Sequence, residues 1–317
     1  MGFMRNILFA LEVVAPVFLM ILLGFVLRRR KMLTEEFVSI SSQLVFRISL
    51  PAFIFVKLSS TDFLTAFNAE IIGLGIGATL FVFGLAWIVA AFMIEEGRRQ
   101  GPFIQGVYRS NYGIIGLAVV FNMYGESGLK QAVILLSALM PLFNTLAILA
   151  LTIPAKRDKS LKAGSILTDI LTNPLNIATL CGICASLLGI PLGSIVLKTG
   201  NYLAALTIPI ALIGIGGSLT YRVLKSSFRE AMVASVLKIV AYPLLFSCIA
   251  YYLGFRGEDF GVLFILFACP TAIVSFAMAR AMANDANLAA NIVLLSTVGS
   301  VVTLSFGIFL VKLLGLI

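Results

Sequence analysis

The sequence contains no histidine and has few charged residues. Of its 317 residues, 12% are charged and 60% are hydrophobic, and the mean hydropathy is +1.08. A soluble domain has roughly 25% charged residues, so this chain cannot supply the polar surface of a water-soluble fold. The lack of histidine excludes His-ligated metal sites and His proton relays. The sequence also lacks a glycine-rich loop ending in Lys-Ser or Lys-Thr, which excludes a built-in ATPase of that type.

Cysteine is scarce as well, and all four cysteines lie inside apolar runs. Cys181 and Cys184 form a CxxC pair with no second pair, which favours buried small residues over a redox or metal site. We therefore predict no metal and no cofactor. The net charge of +9 comes largely from Lys and Arg between apolar runs, where they act as orientation signals. No nucleic-acid partner is predicted; the expected surroundings are a lipid bilayer.

Apolar runs long enough to cross that bilayer, about 20 residues each, recur along the whole chain. The sequence predicts an all-α polytopic membrane protein with ten transmembrane helices, at residues 6–28, 37–57, 70–94, 103–123, 129–153, 173–192, 195–221, 228–254, 259–281 and 286–314. Loops after odd-numbered runs hold 14 Lys and Arg, against 6 in the other loops and the termini. The odd loops are thus predicted to face the cytoplasm, with both termini on the outer, periplasmic side of the cell inner membrane.

The two halves of the chain resemble each other. A shift of 159 residues aligns residues 132–137 with 291–296 and Asn111 with Pro270, and a shift of 158 aligns Pro51 with Pro209. The polar segment 156–172 separates residues 1–155 from residues 173–317, which predicts two five-helix repeats joined by a short cytoplasmic linker. Because five is odd, the second repeat is inverted relative to the first, as in many secondary transporters.

The fourth and ninth runs are interrupted near their middles, around Asn111 and Pro270. Irregular backbone at that depth is tolerated only inside protein or along a cavity. Equivalent breaks predict crossover helices whose half-helix N-termini converge on one anionic group such as a carboxylate. The alternative is that Asn111 and Pro270 only kink their helices for packing. The predicted substrate-binding residues are Arg109, Ser110, Asn111, Tyr112, Gly113, Pro270, Thr271 and Ser275.

Other polar residues and prolines within the runs are candidates for coupling or for a hinge. Glu12 is the only carboxylate deep in the first run and could carry a proton or cation, or could face outward or pair with a base. Arg47 lies four residues before Pro51, which together with Pro209 predicts bends in the second and seventh runs. Lys238 in the eighth run is interpreted as a lysine that snorkels or is partnered.

Three stretches carry a resemblance to a known family; in one-letter code they are LVF…SLPA (44–52), YRSNYGIIG (108–116) and PTA…SFAMA (270–279). In this order and spacing they resemble the auxin efflux carrier family in its short bacterial form, over essentially the whole chain. The resemblance implies ten helices in two inverted repeats with crossover helices four and nine. It also implies elevator-like transport of organic anions, with Asn111 binding the substrate carboxylate, and a homodimer.

The sequence thus predicts a secondary active transporter for small organic anions, either carboxylates or auxin-like acids, and not an enzyme. One alternative is a sodium-coupled symporter of the bile-acid symporter type, and another is a sensor that binds its ligand without moving it. The sequence leaves open the identity of the substrate, the direction of transport and the coupling ion, whether proton, sodium or none.

Overall fold

The computed structural model describes residues 2–63, 67–155, 172–219 and 227–317, and these ranges are helical apart from short connections and one isolated β-bridge. Of the predicted linker 156–172, only Thr172 falls within the described residues. In chain order the helices are α1 (Gly2–Arg29), α2 (Glu35–Leu44), α3 (Leu50–Ser59), α4 (Ala69–Met93), α5 (Gly97–Tyr108), α6 (Leu117–Thr152), α7 (Pro174–Leu187), α8 (Ser194–Ala205), α9 (Thr207–Ser218), α10 (Phe228–Val236), α11 (Tyr242–Tyr252), α12 (Gly257–Ala268), α13 (Val274–Ala281) and α14 (Ala286–Leu313).

Seven continuous helical stretches within the described ranges are long and apolar enough to cross a bilayer. They are Phe3–Arg29, Glu35–Ser59, Ala69–Met93, Tyr112–Thr152, Ser194–Ser218, Phe228–Tyr252 and Ala286–Leu313, and α7 is a shorter apolar helix. Helices satisfy their own backbone hydrogen bonds, which is what a segment in lipid requires. The chain is therefore an all-α multi-pass membrane protein.

Within the described ranges, three π-helical turns interrupt the regular helices, at Val45–Ser49, Tyr112–Gly116 and Leu237–Ala241. Two of them directly precede a proline in the next helix, Pro51 in α3 and Pro243 in α11. Proline cannot donate a backbone hydrogen bond, so the preceding turn widens; Leu50 N–H bonds the Val45 carbonyl, five residues earlier. The remaining π turn, Tyr112–Gly116, follows the break after α5.

The helices pack in two groups. In the first, which we call the wall, α1 packs on α9 and α3 packs on α7 and α8, with α2 against α9. In the second, which we call the core bundle, α5, α6, α12 and α13 meet around the two breaks, and α4, α10, α11 and α14 enclose them.

Of the four cysteines, Cys269 is buried, but Cys181, Cys184 and Cys248 are exposed on the protein surface. The prediction that Cys181 and Cys184 are buried small residues is thus wrong, because both side chains are exposed. In a protein surrounded by lipid, an outward-facing position suits a small apolar residue as well as an interior one does.

Candidate functional site

Two broken helices cross at the centre of the core bundle. Helix α5 ends at Tyr108 and α12 ends at Ala268, and the extended segments that follow pair as an antiparallel bridge between Ser110 and Thr271. The Asn111 N–H donates to the Pro270 carbonyl at 2.8 Å, and the Ala272 N–H donates to the Arg109 carbonyl at 2.9 Å. The chain thus satisfies backbone groups that the breaks release, as buried backbone requires.

Each crossing segment also supplies a hydroxyl to the other broken helix. Ser110 Oγ donates to the Leu266 carbonyl of α12 at 2.8 Å, and Thr271 Oγ1 donates to the Gly106 carbonyl of α5 at 2.6 Å. The last carbonyls of a helix have no partner within it, so these two side chains cap the ends of the opposite half-helices. The exchange fixes how the two breaks lie on each other.

Asn111 is a polar residue left incomplete at this crossing. Its side chain is only 4% exposed, and its amide Nδ2 has no hydrogen-bond partner among the described residues. A buried N–H donor without an acceptor costs about 1–3 kcal/mol. An arrangement that leaves this donor open is therefore a candidate for binding an acceptor from outside the chain.

Asn111 lines a cavity of about 30 Å³ between the crossing segments and the wall. A space of this size is about that of one water molecule. Arg109, Ser110 and Gly113 line it from the first crossing segment, and Ala272 lines it from the second. The rest of the lining is apolar: Phe46, Leu50, Ile114, Leu136, Met140, Phe143 and Val274.

Arg109 brings a positive charge to this cavity. It is 3% exposed, and its guanidinium donates to Asn144 Oδ1 at 2.7 Å and to Met278 Sδ at 3.0 Å. Neither acceptor is charged, and within the described part of the chain Arg109 forms no ion pair with a carboxylate. The cavity therefore lies beside a buried cation whose charge is not offset by a described acid.

The remaining predicted binding residues lie at the crossing, at the start of α13 or behind the cavity. Gly113 and the Pro270 carbonyl belong to the crossing itself. Ser275 is 1% exposed at the start of α13, and its hydroxyl has no partner among the described residues. Tyr112 is fully buried and its hydroxyl points to the Val262 carbonyl at 3.5 Å, so its ring packs toward α12 and does not line the cavity.

The coupling and hinge candidates lie outside the cavity. Glu12 is exposed on α1, and Arg47 is exposed in the π turn before α3. Pro51 is buried in the first turn of α3, whereas Pro209 is exposed in the first turn of α9. Both prolines stand just after an interruption of regular α-helix, at the π turn and at the α8–α9 junction.

Sequence analysis did not identify the apolar residues that line the cavity, and it left two interpretations of Lys238 open. Leu136, Met140 and Phe143 recur at helical spacing on one face of α6, which is a signal that many lipid-facing or packing residues share. Lys238 is fully buried and donates to the Phe267 carbonyl at 3.1 Å. It is a partnered lysine, one of the two interpretations that its sequence position allows.

Similarity to known proteins shows the family of this chain. Residues 9–308 match the family described as "Membrane transport protein". The chain belongs to this membrane transport protein family. The match spans nearly the whole chain and confirms the resemblance to auxin efflux carriers.

Relatives of this membrane transport protein cover it almost from end to end. It is 26% identical to an uncharacterized transporter of Methanothermobacter thermautotrophicus, over 92% of this chain and 95% of the relative, and 24% identical to an uncharacterized transporter of Methanocaldococcus jannaschii, over 93% and 96%. It is 25% identical to a Rhizobium meliloti protein named "Putative malonate transporter", over 94% of this chain and 95% of the relative.

Proposed function

We propose that the protein is a secondary active transporter that moves small organic anions, carboxylates or auxin-like acids, across the cell membrane, and that it is not an enzyme. The single observation that carries the proposal is the buried Asn111 amide, which lines a cavity at the crossing of two broken helices and has no partner among the described residues. A carboxylate oxygen is the acceptor that this donor lacks.

The charge distribution supports an anion. The half-helices that follow the breaks begin near the cavity, since Gly113 and Val274 both line it, and helix N-termini carry partial positive charge. Arg109 adds a full positive charge beside them. The apolar lining suits the carbon skeleton of an organic acid rather than an inorganic anion. The name of the Rhizobium relative is in keeping with this class of substrate.

The same features support movement of the core bundle against the wall. A cavity of about 30 Å³ is smaller than any organic acid, so its walls must separate to admit one. Phe46 and Leu50 belong to the wall and the other lining residues to the core bundle, so sliding the two groups opens the site. We propose an elevator mechanism on this basis, with Asn111, Arg109, Ser110, Gly113, Pro270, Thr271 and Ser275 carried by the moving part and Tyr112 packed behind them.

We further propose ten spans in two inverted repeats, over residues 1–155 and 173–317. Helix α5 with the start of α6, and α12 with α13, count as the fourth and ninth spans, and Gly125, whose φ of 62° interrupts α6, separates the fourth span from the fifth. The reciprocal caps from Ser110 and Thr271 support the pairing of the fourth span with the ninth. The interruptions just before Pro51 and Pro209 support the pairing of the second span with the seventh.

The orientation with both termini outside, insertion in the inner membrane, assembly as a homodimer, and a proton or sodium as coupling ion are parts of this proposal. Glu12 stays the carboxylate candidate for coupling. The exposed position of Glu12 on α1, a wall helix, separates it from the crossing.

Transport is tested by flux of radiolabelled malonate, malate and indole-3-acetate into proteoliposomes under imposed proton and sodium gradients. We expect wild type to transport at least one of these acids. Asn111→Asp has nearly the same shape but places a negative charge where the carboxylate binds, so its flux should fall by about a hundred-fold, the effect of about 2.7 kcal/mol. Asn111→Ala, which removes the donor without adding charge, should lose less.

Asn287→Ala is the matched control, since Asn287 is exposed at the start of α14, and its flux should equal that of wild type. Thermal unfolding of each purified variant separates loss of transport from loss of fold. Flux of an acid by Asn111→Asp at the wild-type rate would refute the site. Binding of an acid by wild type without flux under any gradient would replace the transporter with a sensor.

A further inference from the structure

Lys238 is the most deeply buried charged group of the core bundle. It lies in the π turn Leu237–Ala241, between α10 and α11, and is 0% exposed. A lysine near the end of a transmembrane helix usually extends its ammonium to the interface. Lys238 instead lies near the middle of the continuous helical stretch Phe228–Tyr252, and its side chain reaches inward to the end of the broken helix α12.

The contacts of the Lys238 ammonium are specific. Nζ lies 3.1 Å from the Phe267 carbonyl and 4.4 Å from the centroid of the Tyr242 ring. Phe267 follows Leu266, whose carbonyl accepts the Ser110 hydroxyl from the crossing. Lys238 and Ser110 therefore cap neighbouring carbonyls at the same helix end.

This end of α12 is a site for a cation on general grounds. The C-terminal carbonyls of a helix carry partial negative charge, and secondary transporters use such half-helix ends to coordinate sodium or a proton. Lys238 places a covalently attached cation there. Within the described ranges it forms no ion pair with a carboxylate, so its charge is offset only by carbonyl and ring dipoles.

We propose that Lys238 is a resident cation at the end of α12, in addition to Arg109 at the cavity: it takes the place of a coupling sodium ion there, and a substrate carboxylate at Asn111 balances its charge. The inference rests on the proposed function and sharpens it, because it selects sodium-independent anion binding over the sodium-coupled alternative. Lys238 does not line the cavity, so it acts as a positioning residue, through the α12 end and through its charge.

The first test is binding of malonate, malate and indole-3-acetate to the purified full-length protein by isothermal titration calorimetry. The titrations are run in sodium chloride and again in choline chloride. We expect wild type to bind with the same affinity in both salts. Lys238→Met keeps the length of the side chain but removes its charge, and should weaken binding about ten-fold or more, as loss of a unit charge from a partly desolvated site does. Lys130→Met, at an exposed lysine of α6, is the control and should bind like wild type.

The second test applies if the Lys238→Met variant fails to fold. Lys238→Ala removes the equivalent of n-propylammonium, so that cation should restore anion binding and thermal stability to Lys238→Ala, while uncharged 1-propanol should not. Rescue by both compounds alike would show that the site needs no charge, and rescue by neither would show that a restored cation does not act there; either result would overturn the proposal.

Two further outcomes contradict the inference directly. Wild-type binding that requires sodium would show that the cation is not built in. Lys238→Met binding at wild-type affinity would show that the ammonium does not act on the anion. Failure of wild type to bind any acid is a different result, because it removes the proposed function and with it the anion that Lys238 is meant to balance.

Discussion

At the scale of single residues, the crossing depends on two hydroxyls. Ser110 and Thr271 each cap the broken helix that the other belongs to. Thr271 is fully buried, and its backbone N–H also donates to Ser296 Oγ at 3.2 Å. A residue held through both its hydroxyl and its backbone N–H in this way defines the geometry of the crossing rather than the identity of the substrate.

Replacing Thr271 with valine tests this role. The shape is retained, but the Gly106 carbonyl loses its donor inside the protein, which should cost about 1–3 kcal/mol of stability. We expect a lower temperature of unfolding in detergent for Thr271→Val than for wild type.

The matched control is Thr303→Val. The Thr303 hydroxyl has no hydrogen-bond partner among the described residues, so its removal should leave the unfolding temperature unchanged or raise it. Equal effects of the two variants would contradict a capping role for Thr271.

The sequence was sufficient to nominate Asn111, Ser110 and Thr271, because polar residues and proline in the middle of an apolar run violate a rule that lipid enforces. It was not sufficient for Lys238. Whether a lysine points outward or inward depends on the π turn that carries it and on the carbonyl of Phe267, 29 residues further along the chain. A local sequence pattern shows neither the π turn nor the distant carbonyl.

At the scale of helices, the wall is built by close approach of α1 and α9. A methyl group added at Gly216 of α9 would overlap the Ile21 carbonyl oxygen, and one added at Gly24 of α1 would overlap the Ile213 carbonyl oxygen. Small residues at both contact points let the two backbones touch, which is how helices associate in lipid without a hydrophobic driving force.

Gly216→Ala should therefore separate α1 from α9. The overlap cannot be relieved by a flexible side chain, because the obstructing atoms are backbone, and we expect a loss of about 1–3 kcal/mol in a thermal unfolding assay.

Gly73→Ala on α4 is the comparison. A methyl group there meets no atom within 4 Å, and alanine favours helix by about 1 kcal/mol over glycine, so this variant should be neutral or more stable. An unaffected Gly216→Ala protein would contradict the close packing.

Hydrophobic runs predicted where the helices lie along the chain. They did not predict the π turns that interrupt those helices. The π turns at Val45–Ser49 and Leu237–Ala241 lie within continuous apolar stretches that are indistinguishable from regular helix by composition. Pro51 and Pro243 signal an irregularity, yet a kink, a widened turn or a break can each follow a proline. Packing in three dimensions decides among them.

At the scale of the whole molecule, few polar contacts between the residues that the structure describes join the wall to the core bundle. Lys57 of α3 forms an ion pair with Glu126 at 2.6 Å, and Asn122 Nδ2 donates to the Val13 carbonyl of α1 at 2.9 Å. Lys312 Nζ lies 4.4 Å from the centroid of the Phe9 ring. Helix α1 also packs along α14, so the groups meet mainly through apolar side chains. Polar contacts so sparse and partly exposed are compatible with one group sliding along the other.

A reversible cross-link between positions 57 and 126 tests that movement. The double variant Lys57→Cys, Glu126→Cys is made with the exposed Cys181, Cys184 and Cys248 replaced by serine, and is treated with a short bis-methanethiosulfonate reagent. If the core bundle moves against the wall, the cross-link should reduce flux at least about ten-fold, because the barrier rises by more than about 1.4 kcal/mol. Reduction of the linker should restore flux.

The two single-cysteine variants serve as controls and should transport at the same rate before and after treatment. Undiminished flux through fully cross-linked protein would rule out relative motion at this contact.

The likeness of the two halves predicts two five-run repeats more readily than it predicts any contact within them, and the repeats stay a prediction. Five runs on each side and equivalent breaks follow from a shift of half the chain length, whereas the partners of α1 or of Asn111 do not. Those partners lie in the other half of the chain. Separation along the sequence does not predict which distant residues are close in space.

The crossing also has a consequence for biosynthesis. The Gly106 carbonyl and the Asn111 N–H obtain their partners, Thr271 and Pro270, about 160 residues later in the chain. At 5–20 residues per second the ribosome needs roughly 10 to 30 s to reach them. During that interval the newly inserted first half holds an uncapped α5 end, and Arg109 can contact Asn144 but not Met278. Completion of the crossing is therefore a late event, which the cell's insertion machinery must accommodate by shielding a polar segment from lipid until the second half emerges.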